Sequence, residues 1–179
     1  MSTSTTHTEI RAYVACLGCY SESVLNGRWV AAIDAAEVTI SSLHKGRRTD
    51  HEELWCLDHE GIPYRGELDP WTATRWAEVL NQVEYDQVGA LCAWTLNGDY
   101  ATENDQSDIP DLQVFQETYR GHWDSFTDYA RSLVDDLGIL QGVSEEIARY
   151  WDVEAWARDI KGDHTVVDAV AGVYVFTND

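Results

Sequence analysis

The chain has 179 residues, 44% of them hydrophobic, and its eight Trp, nine Tyr and three Phe supply enough apolar material for a core, which argues against general disorder. Asp and Glu number 32 against 12 Lys and Arg, a formal net charge of −20 with a pI near 4.4, so neither nucleic acid nor a membrane is expected as a partner. The polar opening MSTSTTHTE has no apolar segment and no run approaches the roughly 18 residues of a membrane span, so a soluble, cytoplasmic protein with its four cysteines reduced is expected.

In chain order, residues 10–16 (IRAYVAC) read as a strand, since Tyr13 and Val14 favour extended backbone. LGCYSESVLNGRWVAAID follows, with no amphipathic helical period and with a turn signal at Asn26-Gly27. Residues 34–44 fit a short helix or a strand equally, because Val38, Thr39 and Ile40 are β-branched. HKGRRTDHEE is a polar loop, and ELWCLD (53–58) a second strand closed by a turn at HEGIPY. Asp69-Pro70 predicts a helix start, Asp as N-cap and Pro at the first position, with Trp76, Val79, Leu80 and Val83 on one face. Val88, Leu91 and Cys92 suggest a second short helix, and residues 97–111 a loop with five carboxylates. Ser125-x-x-Asp128 resembles a capping box for a helix with Phe126, Tyr129, Ala130, Leu133, Val134 and Leu137 on one face and Gly138 as its stop. Further helices are expected from Ser144, with Glu145 and Glu146 in the first turn, and from Asp152, burying Val153, Trp156, Ala157 and Ile160; GVYVF is a last strand.

Motifs for catalysis are missing: there is no G-x-S-x-G, H-E-x-x-H, P-loop or G-x-G-x-x-G, so no catalytic residue, no cofactor and no enzyme activity are expected. Cys16-x-x-Cys19 invites a zinc or a thiol-exchange reading. Zinc needs two more ligands, and no spacing selects among Cys56, His44, His51 and His59, so the pair reads as two small half-buried residues and no metal is expected. The acidic loop laid on an EF-hand frame places Thr102 where Gly is needed and Asp108 where Glu is needed, which argues against specific calcium binding.

The charge is unevenly spread. Residues 1–49 hold four acids (Glu9, Glu22, Asp34, Glu37) and five bases (Arg11, Arg28, Lys45, Arg47, Arg48), leaving 28 acids and seven bases for residues 50–179. A halophile-type acidic domain would acidify every surface, although the scarcity of Lys speaks for it; an acidic adaptor for another basic DNA-binding protein is a second alternative. B-DNA carries one charge per roughly 1.7 Å of axis, so a dimer with twice −20 matches roughly 70 Å of duplex. A compact globule of this length has a radius of gyration of only about 16 Å, so a mimic of DNA requires small units in a row, extended by dimerisation.

The chain resembles the ArdA antirestriction family over about residues 10–177. YVACLGCYSESVLNGRW and LWCLDHEGIPY are similar to its opening segments. More specific are TYRGHWDSFTDYARSLVDDLGIL, ARYWDVEAWARDIKGDHT and VYVF, with the patterns Y-x-G-x-[YW]-D-S and Y-x-D-x-E-x-x-A-R-D in order. The resemblance implies an α+β fold as an elongated chain of three small domains. These are an N-terminal α+β domain with a short antiparallel sheet (1–66), a helical middle domain (67–112) and a C-terminal α/β domain with a short sheet (113–179). It implies inhibition of Type I restriction–modification enzymes, encoding on mobile genetic elements, and a homodimer joined in residues 137–160, with Tyr150, Trp151, Val153 and Trp156 as interface candidates. The phosphate-mimicking carboxylates expected on this reading are Asp69, Glu78, Glu84, Asp86, Asp99, Glu103, Asp105, Asp108, Asp111, Glu117, Asp124, Asp128, Asp135, Asp136, Glu145, Glu146, Asp152, Glu154 and Asp159.

Overall fold

The computed structural model describes residues 9–98, 100–104 and 107–178. It is α+β, with two three-stranded antiparallel sheets. One compact unit takes the described residues up to Val88 together with Thr102–Pro110, and the other takes Gly89–Ala101 together with the described residues from Asp111 on. The segment 67–112 is therefore shared between the two.

In the first unit β1 (Arg11–Cys16) is central, flanked by β2 (Gly27–Ala31) and β3 (Leu54–Glu60) in the order β2-β1-β3. Ala12, Val14 and Cys16 alternate into the core with the period of two of a strand, and Ala15 is buried as well. The cover is α3 (Pro70–Gln82), which buries Ala73, Trp76, Ala77, Val79 and Leu80. Asp69 caps this helix as its sequence predicts, accepting from the amides of Trp71 and Thr72. Thr74 ties α3 to a 3-10 turn over Ala32–Glu37, donating to the Ala32 carbonyl (3.1 Å) and accepting from the Ala36 amide (3.0 Å).

The second unit contains all but the first residue of α4 (Val88–Asn97), and α5 (Leu112–Thr118), β4 (Tyr119–Trp123), α6 (Phe126–Asp136), α7 (Glu145–Ala148), α8 (Val153–Ile160), β5 (His164–Asp168) and β6 (Val173–Thr177). The sheet order is β4-β6-β5. Aromatic rings fill its core: Trp94 lies 5.6 Å from Phe115 and 5.9 Å from Phe176 between centroids. Phe126, Tyr129 and Ala130 of α6 pack with Ala157 of α8 and Val175 of β6, and Trp123, Trp156 and Ile160 lie against them. Gly138 closes α6 at φ +61°; the Ile139 amide reaches back to the Val134 carbonyl and the Gly138 amide to that of Asp135, the paired bonds of a glycine-stopped helix.

Several local expectations change. Residues after Cys16 do form a helix, α1 (Leu17–Ser21); at five residues it is too short to show an amphipathic period, and it ends on Ser23 at φ +64° where a Gly would have signalled a stop. No hairpin turn forms at Asn26-Gly27. Gly27 opens β2, and a side chain there would meet Tyr13, the Val14 carbonyl and Ala15, each at 2.8 Å. The ambiguous stretch 34–44 resolves as the 3-10 turn and α2 (Ile40–Leu43), because Thr39 caps it in a reciprocal box with Ser42. The box at Ser125 is half formed: its hydroxyl accepts from the Asp128 amide, but Asp128 takes the hydroxyl proton of Ser125 instead of its backbone amide. Strands β4 and β5 and helix α5 have no counterpart among the elements read from sequence; β4 is only five residues long, and its register with β6 shifts between Tyr119 and Gly121, the latter at φ +108°.

Candidate functional site

In the first unit the acids expected to imitate phosphates divide by role. Asp69 is bound to the amides of its helix. Glu78 and Glu103 both engage Arg75, Glu103 through two oxygens at 2.7 and 3.0 Å, and the two acids hold the guanidinium above its ordinary pKa. Asp108 accepts from the Tyr64 hydroxyl at 3.1 Å; burial, then this carboxylate, pushes the Tyr64 pKa up. Glu84 and Asp86 stand exposed with no cation partner among the described residues.

The second unit repeats the division. Asp111 caps α5 and Asp152 caps α8. Asp128 pairs with Arg131 at 2.7 Å and Glu154 lies 3.7 Å from the same guanidinium. Glu117 accepts from Gln113 at 2.8 Å. Asp124, Asp135, Asp136, Glu145, Glu146 and Asp159 are exposed and have no cation partner among the described residues. Asp99 and Asp105 lie outside the described residues. Among the expected acids, Glu84, Asp86, Asp124, Asp135, Asp136, Glu145, Glu146 and Asp159 are thus exposed and neither accept a helix's amides nor pair with an arginine. Sequence spacing predicts the helix starts at Asp69 and Asp152, but neither the cap at Asp111 nor the reach of Arg75 to Glu103 and of Arg131 to Glu154.

Several apolar side chains of residues 137–160 are exposed. Leu137 is 64% exposed, Ile147 66%, Tyr150 84% and Trp151 38%. Trp156 and Val153 are half-buried; Trp156 packs on the α6–α8 core and its ring centroid lies 6.3 Å from that of Trp151. Leu137 and Ile147 are not among the residues that sequence singles out: Leu137 continues the face of Phe126, Tyr129 and Val134, whose members are covered, and Ile147 sits in α7, none of whose residues is buried.

A second cluster lies at the end of β1. Cys16, the N-cap of α1, and Cys19 within it come together with His44, the C-cap of α2, and His51 from the loop before β3. One ligand-capable atom from each falls within 4.8 Å of the others. His51 Nδ1 is 3.3 Å from Cys16 Sγ and 3.4 Å from Cys19 Sγ, and His44 Nε2 is 3.5 Å from Cys19 Sγ. Burial raises the Cys16 thiol, but hydrogen bonds from His44, from Cys19 and from His51 outweigh it and bring its pKa down to about 7, while burial and the Cys16 sulfur push Cys19 up. The pair is not the isolated, half-buried one that sequence suggested. His44 and His51 join it only through the fold, and their separation is longer than the usual three to five intervening residues of histidine ligand pairs.

No helix among the described residues is long and apolar enough to cross a membrane. A family model described as antirestriction protein (ArdA) matches residues 12–175, nearly the whole chain. Comparison with curated proteins finds no match.

Proposed function

The chain belongs to the ArdA antirestriction protein family, and from that premise we propose that it inhibits Type I restriction–modification enzymes as a non-enzymatic mimic of B-form DNA. The observation that carries this reading is the set of exposed carboxylates left without cation partners among the described residues: Glu84, Asp86, Asp124, Asp135, Asp136, Glu145, Glu146 and Asp159. A groove built to bind DNA presents Lys and Arg to phosphates. Carboxylates offered to solvent can replace those phosphates as partners, whereas acids already paired inside the protein contribute less.

Contacts of this type position a partner without reading bases, so inhibition would ignore the recognition sequence of the enzyme. The three-segment division at 66 and 112, and a homodimer joined around Tyr150 and Trp151, would extend the charged length; the exposure of Leu137, Ile147 and Tyr150 supports such a contact, since a large apolar patch among acids is otherwise unfavourable.

The test is a cleavage assay with a purified Type I enzyme, its cognate DNA and increasing amounts of the folded protein. The expected result is stoichiometric inhibition, equal for enzymes of different recognition sequence. Unchanged cleavage at a large excess of folded protein would overturn the proposal.

A further inference from the structure

We propose that Cys16, Cys19, His44 and His51 form a structural zinc site in the N-terminal unit. The donor set of two thiols and two imidazoles is that of closed tetrahedral zinc sites. Zn–S of about 2.3 Å and Zn–N of about 2.0–2.1 Å in a tetrahedron place sulfur and nitrogen ligands about 3.6 Å apart. The sulfur-to-nitrogen separations of 3.3, 3.4 and 3.5 Å are close to that edge length.

The surroundings are those of a ligand set. Glu22 Oε1 lies 3.4 Å from His51 Nε2, the nitrogen opposite the ligand atom, so the carboxylate fixes the imidazole with Nδ1 free to coordinate. The Cys19 amide donates to Cys16 Sγ at 3.5 Å, and Asn26 Nδ2 approaches Cys19 Sγ at 3.8 Å; both donors favour thiolate sulfur. Gly18, between the cysteines, leaves no room for a side chain: a Cβ there would stand 2.5 Å from the His51 ring. On binding, each thiol gives its proton to solvent, and Zn²⁺ with two thiolates and two neutral imidazoles is a neutral site, suited to the buried cysteines.

The consequence is local. The four ligands come from the end of β1, α1, the end of α2 and the loop before β3. A bound ion would pin these short pieces, none of which has an extensive apolar face of its own, to the sheet edge. Thiol–disulfide exchange by the same CxxC would not need two histidines against the sulfurs, and the test separates the two.

Full-length protein purified without chelator is measured for metal by mass spectrometry, and cobalt is then exchanged in. The expected result is one zinc per chain, with intense visible d–d bands and a sulfur-to-cobalt charge-transfer band, both lost in Cys19→Ser. Glu22→Gln should retain the site at roughly 10–100-fold lower affinity. Wild-type protein that is folded but takes up neither zinc nor cobalt, that gives weak octahedral cobalt bands, or that carries a Cys16–Cys19 disulfide overturns the proposal. Should Cys19→Ser fail to fold, the wild-type stoichiometry and cobalt spectrum still decide.

Discussion

Gly172 runs so close to Trp123 that a methyl group on its Cα would overlap the Trp123 carbonyl oxygen, and its backbone is left-handed at φ +78°. Here the β5–β6 turn, closed by the Ala169 amide on the Gly172 carbonyl at 3.0 Å, meets the chain that leads into Asp124 and the N-cap Ser125 of α6. Only glycine satisfies both constraints. Gly172→Ala is expected to destabilise the protein by more than about 1–2 kcal/mol, the conformational penalty alone, because the overlap adds to it. Urea denaturation checks this, and an unchanged midpoint would mean that the turn does not approach Trp123.

Acids that hold the fold and acids that face solvent should respond differently to neutralisation. Asp69→Ala removes a helix cap and is expected to lose about 0.5–2 kcal/mol of stability. Asp135→Asn with Asp136→Asn should leave stability within about 0.5 kcal/mol and weaken inhibition of a Type I enzyme. Paired denaturation and cleavage measurements on both variants test the division; equal effects on stability would erase it.

Inhibition should be salt-sensitive. If the carboxylates replace phosphates, affinity for the enzyme falls steeply and linearly on a logarithmic salt axis, and each neutralised solvent-facing acid makes the slope shallower. Titration of the inhibitor at several ionic strengths reads the slope directly. A flat line would remove charge mimicry as the mechanism.

The apolar surface of the second unit makes a separate prediction. Ile147→Asp or Tyr150→Asp should convert a dimer to a monomer in sedimentation, with little loss of stability, because both side chains are mostly exposed in the single chain. Trp156→Asp should instead unfold the second unit, since that ring packs against the core cluster that contains Phe126, Tyr129 and Ala157. A wild-type protein that sediments as a monomer at all concentrations would refute the interface.

Alkaline pH should destabilise the fold through Cys56. Burial, and then the charge of Asp69, pushes this thiol from the ordinary 9.0 to about 12. Below 9.0 the thiol is neutral in both states and its contribution is fully present; as pH rises toward 12 the unfolded chain ionises first and that stability is lost. The slope is at most about 1.4 kcal/mol per pH unit. Burial shifts Tyr64 and Tyr129 in the same sense. Denaturation across this window should show Cys56→Ser with a shallower decline than the wild type.

Periodicity and caps alone determine much of this protein. Asp69-Pro70 announces α3, the face of Phe126, Tyr129 and Val134 announces α6, and Gly138 ends it, because helix starts, faces and stops depend on residues a few positions apart. Charge is likewise additive along the chain, so the acidic excess beyond residue 49 and the family patterns at 119–125 and 150–159 are legible without coordinates. Pairing is not. That Arg75 also reaches Glu103 and Arg131 also approaches Glu154, why Gly27 and Gly172 cannot carry a side chain, and the meeting of His44 and His51 with Cys16 and Cys19 all depend on segments distant in sequence. Strand β1, with its partners β2 and β3, and the short helices α1 and α2 bring the cysteine and histidine segments together. Only the tertiary structure decides such contacts, since they are set by distances across the fold that no local spacing encodes.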